Sequence, residues 1–278
     1  MTVIPNVQLN NGVEIPQLGF GVFLVKPEET FAAVTTALEI GYRHIDTAEM
    51  YHNERQVGEA IAASGIDRSE IFLTSKLNND KLGFDAALVA FDETLGALGI
   101  EQIDLFLIHW PLATVRDFVE TWRAMEQIYR DGRARAIGVS NFQVAHLQRL
   151  FDETDVIPVV NQIETHPYLT QSELIAFGES HGVATEAWSP LARGALLDDP
   201  TIGAIAERVG KTPAQTVLRW HIQRNSIIFP KSMSVDRLRA NFEIFDFVLS
   251  DAEMAAIAAL NRDERIGPDP DTFPPKPN

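Results

Sequence analysis

The sequence contains no cysteine. That removes disulfides, thiolate nucleophiles and zinc–thiolate sites, and it fits a cytoplasmic home. Positive charge is also scarce: 23 lysines and arginines stand against 39 aspartates and glutamates, a formal net charge of −16. Such a balance repels a phosphate backbone and argues against nucleic-acid binding. A small anionic ligand is still allowed, because beyond about 8 Å the global charge is largely screened and local cations decide. No run approaches the roughly 18 uninterrupted apolar residues of a membrane span. The opening MTVIPNVQLNNG has neither the basic nor the apolar region of a secretion signal. What is there is a 278-residue chain, 45% hydrophobic, with the size and composition of a soluble globular protein.

Short apolar runs alternate with helical patterns along the whole chain. VQLNNGVEIPQLG reads as a hairpin with Asn-Gly in its turn, followed by GFGVF as a first strand. Phe31, Val34 and Leu38 mark a helix face that ends at Gly41. HIDTA, IFLTSKL and DLFLIHW are strands two to four, with a helix through Val57 and Ile61 after the second. Phe118, Trp122, Met125 and Tyr129 trace a helical stripe before ARAIGVSN, PVVNQIE, VATEAWSP and SIIFPKS, strands five to eight. Leu238, Phe242 and Phe245 mark a last helix face. Eight strand–helix units over residues 1–278 predict one α/β domain, a (β/α)8 TIM barrel with an N-terminal β-hairpin. A doubly wound sheet would want G-x-G-x-x-G after its first strand, and GFG at 19–21 lacks the third glycine. The irregular, Pro-rich tail is GPDPDTFPPKPN, and the part around GPDPDTF is expected to close over the barrel mouth.

In such a barrel the C-terminal strand ends converge on one mouth. Those ends carry Asp46, Lys76, His109, Ser140 with Asn141, Gln162, Trp188 with Ser189, and Lys231 with Ser232. One strand-end polar residue is usually a cap or loop former; seven strands doing the same is harder to explain that way. A transition-metal site would want His and carboxylate ligands where Asn141 and Gln162 stand, so no metal is expected. His44 and His166 read as packed structural histidines. No G-x-S-x-G elbow supplies a nucleophile. A lysine, an aspartate, a histidine and the phenol of Tyr51 remain. A desolvated Lys76 needs a counterion, and Asp46 on the adjacent strand can be it. A unit charge about 4 Å from the phenol, at an effective dielectric near 20, is worth roughly 4 kcal/mol. With Asp46 and desolvation opposing, the expected net lowering of the Tyr51 pKa is about one or two units. That would suit a proton donor to a carbonyl oxygen positioned by a neutral His109. No side chain can donate hydride, so a cofactor must.

These residues resemble the aldo-keto reductases, particularly the bacterial 2,5-diketo-D-gluconate reductase type. GYRHIDTAEMYHNE, FLTSKL, LIHWP, IGVSNF, VNQIETHPY, WSPLARG and FPKSMSVDRLRANFEIFDF carry the likeness over essentially the whole chain. The resemblance implies a cytoplasmic, monomeric barrel that uses NADPH/NADP+ and reduces a small-molecule carbonyl substrate to an alcohol. It makes Tyr51 the general acid, Lys76 its activator, Asp46 the partner of Lys76 and His109 the residue orienting the carbonyl. It places Ser140, Asn141 and Gln162 on the nicotinamide carboxamide, Trp188 on the ring, and Ser189 and Leu191 near the pyrophosphate. Lys231, Ser232, Ser234 and Arg237 would surround the 2′-phosphate, with Asn241 near the adenine; two cations, two hydroxyls and a helix N-terminus suit a dianion. Phe23, Asn78 and Trp110 would line the substrate pocket. Asn78 stands where these enzymes often carry tryptophan, which implies a smaller, more polar wall. Ala240 replaces a common glutamate, which implies one adenine contact fewer. The competing reading is a non-catalytic, NADPH-binding regulatory barrel that senses redox state; the complete Asp46–Tyr51–Lys76–His109 set speaks against it.

Overall fold

Two short strands, β1 (Asn6–Gln8) and β2 (Glu14–Pro16), pair antiparallel with Val7 opposite Ile15. Their turn closes at Gly12, whose φ of +85° is open to glycine without steric penalty. The computed structural model describes residues 4–273; Met1–Val3 and residues 274–278, the end of the Pro-rich tail, lie outside the described residues.

Eight parallel strands follow in chain order around one sheet. They are β3 (Phe20–Gly21), β4 (His44–Asp46), β5 (Phe72–Leu77), β6 (Ile103–Ile108), β7 (Ala134–Ser140), β8 (Val160–Glu164), β9 (Ala184–Trp188) and β10 (Ile227–Ile228). The sheet closes on itself through a parallel bridge between Leu18 and Ile228. There the Gly19 N–H donates to the Ile228 carbonyl at 2.8 Å, and the Ile228 N–H donates to the Gln17 carbonyl at 2.9 Å. The result is a (β/α)8 barrel. Strands β3 and β10 are shorter than GFGVF and SIIFPKS suggest. Phe23 is exposed and leaves the sheet, and Pro230 has no N–H to continue the ladder.

Helices cover the outside: α1 (Pro27–Ile40), α2 (Glu54–Ala63), α3 (Phe84–Leu98), α4 (Phe118–Arg130), α5 (Val144–Glu153), α6 (Ser172–Ser180), α7 (Pro200–Val209), α8 (Pro213–Gln223), α9 (Val235–Phe242) and α10 (Asp251–Ala258). The stripe Phe118–Trp122–Met125 of α4 is buried as its spacing predicts, with Tyr129 packed at its edge. Two expectations fail. Phe31 is 41% exposed, because α1 buries the smaller face Thr30, Ala33, Val34, Ala37 and Leu38, which lets the helix lie close to the strands. Phe245 lies beyond α9, which stops at Phe242, and packs against the core from the following loop.

The barrel has two apolar layers. Between strands and helices runs the larger cluster, including Leu73, Phe106, Ile108, Phe91 and Trp122. Inside the barrel, Phe72, Leu105, Leu107, Val160 and Phe229 fill the lower part, and Val7, Leu9 and Ile15 of the hairpin plug its floor. Gly138 is required in that filling, since a Cβ there would come within 2.8 Å of both Leu107 and Val160 side chains. A sealed floor leaves the C-terminal mouth as the open end. No helix of the described residues is long and apolar enough to cross a membrane.

Candidate active site

Side chains two residues apart along a strand share one face. Asp46 and His44 therefore both point inward from β4, Thr74 and Lys76 from β5, Gln162 and Glu164 from β8, and Glu186 and Trp188 from β9. His44 sits low in the barrel, with its ring nitrogens 3.2 Å from the Pro16 carbonyl and from Thr74 Oγ1. Burial lowers its pKa to about 4 despite the nearby Asp46. It packs, as expected.

Lys76 is fully buried. Its ammonium donates to Asp46 Oδ1 at 2.7 Å, to Asp46 Oδ2 at 2.8 Å and to the Thr47 carbonyl at 2.8 Å. Burial pulls the lysine pKa down, but Asp46, together with Tyr51 and Glu186, more than offsets it, so the net direction is upward and the side chain stays charged. Tyr51 comes from the 3-10 turn Glu49–Tyr51 just past β4. Its ring lies 5.3 Å from the Lys76 ammonium, 5.1 Å from the Phe23 ring and 5.8 Å from the His109 ring. The expected net lowering of its pKa is overturned. Removal from water pushes the Tyr51 pKa up to about 12, and Lys76, acting against both burial and Asp46, only limits the rise. Lys76 opposes that rise through its charge and through a side-chain hydrogen-bonding interaction with the phenol. His109 follows β6 directly; burial, then Lys76, holds its pKa well below 6.5, leaving a neutral ring. Its Nδ1 is buried without a partner.

The amides and hydroxyl of the next strands form one connected network. Ser140, the last residue of β7, donates to the Gln162 carbonyl at 2.8 Å. Asn141 donates to the His109 carbonyl at 3.0 Å and accepts from Trp188 Nε1 at 2.9 Å. Gln162 Nε2 donates to Asp46 Oδ2 at 2.9 Å. Asn141 (φ 65°) and Ser189 (φ 50°) both enter the left-handed region immediately after their strands. Such strain outside glycine concentrates at functional sites. Leu191 begins the short turn Ala192–Gly194 beyond it. At the far side of the mouth, Ser234 caps α9 by accepting from the Arg237 N–H. Arg237 Nε donates to Ser232 Oγ at 3.1 Å, Lys231 is exposed, and Asn241 is buried on the inner face of α9. The cations and hydroxyls thus gather at one helix N-terminus.

The prospective substrate walls are more dispersed. Phe23 packs on Tyr51 while remaining 44% exposed. Asn78 is engaged by its own turn: its side chain accepts from the Asn79 N–H at 2.7 Å, and its backbone N–H donates to Glu49. Trp110 is buried with its ring 4.5 Å from that of Phe273 in the tail, so the C-terminal segment does cross the mouth. Glu164 and Glu186, which the sequence reading left without a task, are both built into this region. Glu164 Oε1 accepts from His166 at 3.0 Å and from the Ile266 N–H at 2.6 Å, and Oε2 accepts from the Gly267 N–H at 3.0 Å. This buried carboxylate fastens the tail beside Trp188. Glu186 accepts from Gln162. The available signal was parity: each acidic residue lies two positions from an inward-facing site residue.

Known proteins resemble this chain in sequence and fold over nearly its whole length. The Aldo/keto reductase family profile matches residues 17–262. Morphine 6-dehydrogenase of Pseudomonas putida is 49% identical, covering 96% of this chain and 94% of its own. Glyoxal reductase of Bacillus subtilis is 48% identical, with 95% and 96% covered. The crystal structure of a Gox0644 mutant in complex with NADPH superposes with a TM-score of 0.94 at 44% identity, over 98% of this chain and 99% of that one. A closed barrel with a buried lysine–aspartate pair beneath a tyrosine and a neutral histidine, matched along nearly its full length by such relatives, belongs to the aldo/keto reductase family.

Proposed function

We propose that this NADP-dependent oxidoreductase uses NADPH to reduce aldehydes, ketones and α-dicarbonyls of the glyoxal, methylglyoxal and 2,5-diketo-D-gluconate kind to alcohols. The observation that carries the reading is the buried Lys76–Asp46 pair set beneath Tyr51 and a neutral His109 at one mouth. The relatives' names support the substrate class, since the glyoxal reductase is similar over nearly its whole length.

The residues present fit the cofactor. Among the described residues the side-chain oxygen of Gln162, Oε1, accepts no hydrogen bond, Trp188 is only half-buried, and Ser232, Ser234, Lys231 and Arg237 converge at the start of α9. Ser140, Asn141 and Gln162 would hold the carboxamide, Trp188 would stack on the ring, and Ser189 and Leu191 would line the pyrophosphate. The α9 cluster would take the 2′-phosphate, with Asn241 beneath the adenine. When bound, NADPH supplies the hydride that reaches the carbonyl carbon.

The chain's own residues handle the oxygen. Neutral His109 donates a hydrogen bond to the carbonyl oxygen and places it against the Tyr51 hydroxyl. As the C=O bond becomes a C–O single bond, negative charge accumulates on that oxygen, and Tyr51 transfers its proton there. A phenol with a pKa of about 12 still protonates an oxyanion approaching the basicity of hydroxide, whose conjugate acid lies at roughly 15.7. The tyrosinate left behind is stabilised by the Lys76 field. The reaction therefore needs an acid that stays protonated until charge appears, and a buried Tyr51 meets that need.

The direct test follows NADPH absorbance with glyoxal, methylglyoxal, a diketogluconate and an aromatic aldehyde. Turnover with at least the dicarbonyls is expected. Tight NADPH binding without oxidation by any carbonyl in a wide panel would overturn the reading in favour of a redox-sensing barrel.

A further inference from the structure

Glu186 is a buried carboxyl that the reaction described above leaves without a task. It lies in the middle of β9, fully buried, on the inward face it shares with Trp188. Its Oε2 accepts from Gln162 Nε2 at 2.9 Å, while Oε1 is buried without a partner. The same nitrogen donates to Asp46 Oδ2, also at 2.9 Å. A carboxamide nitrogen carries two N–H groups, and here carboxyl oxygens from two different strands take both. The opposite amide orientation would set the Gln162 oxygen against the carboxylate paired with Lys76. The amide is therefore held from two sides, and its carbonyl oxygen is the one polar atom left to offer.

We propose that Glu186 is a positioning residue for the cofactor's nicotinamide. By taking the second N–H of Gln162, it makes that side chain present an acceptor and never a donor, so that the carboxamide binds with its NH2 group turned to Gln162. This deepens the function proposed above and rests on Gln162 contacting the nicotinamide. The charged groups facing Glu186 are Asp46 from β4 and Lys76 from β5; on the other side, Ile227 of β10 and Phe229 just beyond it are apolar. Burial, reinforced by Asp46, pushes Glu186 up to about 8. It therefore accepts as a neutral acid near pH 7 and adds no second negative charge beside the Lys76–Asp46 pair.

The experiment is calorimetric titration of the full-length protein with NADPH and, separately, with 2′-phospho-ADP-ribose, which lacks the nicotinamide. Glu186→Leu should bind NADPH roughly three- to tenfold more weakly, the range set by one lost hydrogen bond, and bind the fragment as the wild type does. Glu186→Gln should restore NADPH affinity, because its own carbonyl oxygen can accept the same bond; Glu186→Ala replaces the leucine variant if that one does not fold. Equal loss for NADPH and the fragment would overturn the proposal as a general packing effect. So would NADPH affinity unchanged in Glu186→Leu, or a Gln variant no better than the Leu one. Gln162→Ala separates the two layers: if it weakens NADPH while Glu186→Leu does not, only the positioning role falls. If Gln162→Ala leaves NADPH affinity untouched, the nicotinamide site itself is misassigned.

Discussion

Lys76 is charged inside a barrel because Asp46 and the Thr47 carbonyl occupy its hydrogens at 2.7–2.8 Å. Taking one partner away leaves the other buried and uncompensated. Lys76→Met is expected to lower unfolding free energy by about 3–5 kcal/mol in urea, and the double variant Lys76→Met/Asp46→Leu should recover much of that loss. Equal stability of Lys76→Met and wild type would mean that the pair is hydrated. The pairing was legible in the sequence, because strand-end position and residue type suffice to bring a lysine to an aspartate. The acidity of Tyr51 was not. Its pKa depends on how completely Phe23 and His109 strip water from the phenol, and no residue spacing records that. Glu186 and Glu164 escaped for another reason: each is an acid inside an apolar run, and only alternation with Trp188 or Gln162 reveals which way it points.

Among the elements, α2 and β5 meet across a buried carboxyl. Ser75 Oγ donates to Glu54 at 2.5 Å, yet burial raises the Glu54 pKa from 4.5 to about 7. The folded form thus holds a proton that the unfolded chain releases near 4.5. The stability contributed by that proton is fully present below about 4.5 and is lost as pH rises through about 7. Glu54→Gln should consequently raise Tm relative to wild type near pH 8 and not near pH 5; a Tm difference independent of pH would contradict the assignment. At α9 the N-terminal cluster makes a separate prediction. Arg237→Ala should weaken NADPH by roughly tenfold or more, as expected for a lost charge-assisted contact, and leave NADH nearly unchanged in fluorescence titrations. Equal loss for both cofactors would remove the 2′-phosphate from this helix. Helix faces were readable where large apolar residues repeat, as in α4. They were misread where alanines let a helix approach the strands, as at Phe31 of α1.

At the scale of the whole molecule, eight alternating units were enough to anticipate the barrel and its polar mouth, whereas the hairpin's sealing of the floor was not read from the sequence. Closure through Leu18 and Ile228 was not visible in the sequence, because β3 and β10 are only two residues long and their bond is made by the flanking backbone. The tail's path over the mouth was anticipated, but its fastening to Glu164 joins residues 102 and 103 positions apart, a distance that local pattern cannot bridge. The barrel thus brings proton donor, counter-charge and tail to one end, and the central claim is that Tyr51 delivers the proton. The most direct measurement is a single-turnover reaction of NADPH-loaded Tyr51→Phe with methylglyoxal, alongside NADPH affinity for the same variant. Loss of at least about 100-fold in the chemical step, the scale of general-acid catalysis, with cofactor affinity retained, is the expected result. Turnover comparable to wild type would contradict it and pass the role to His109.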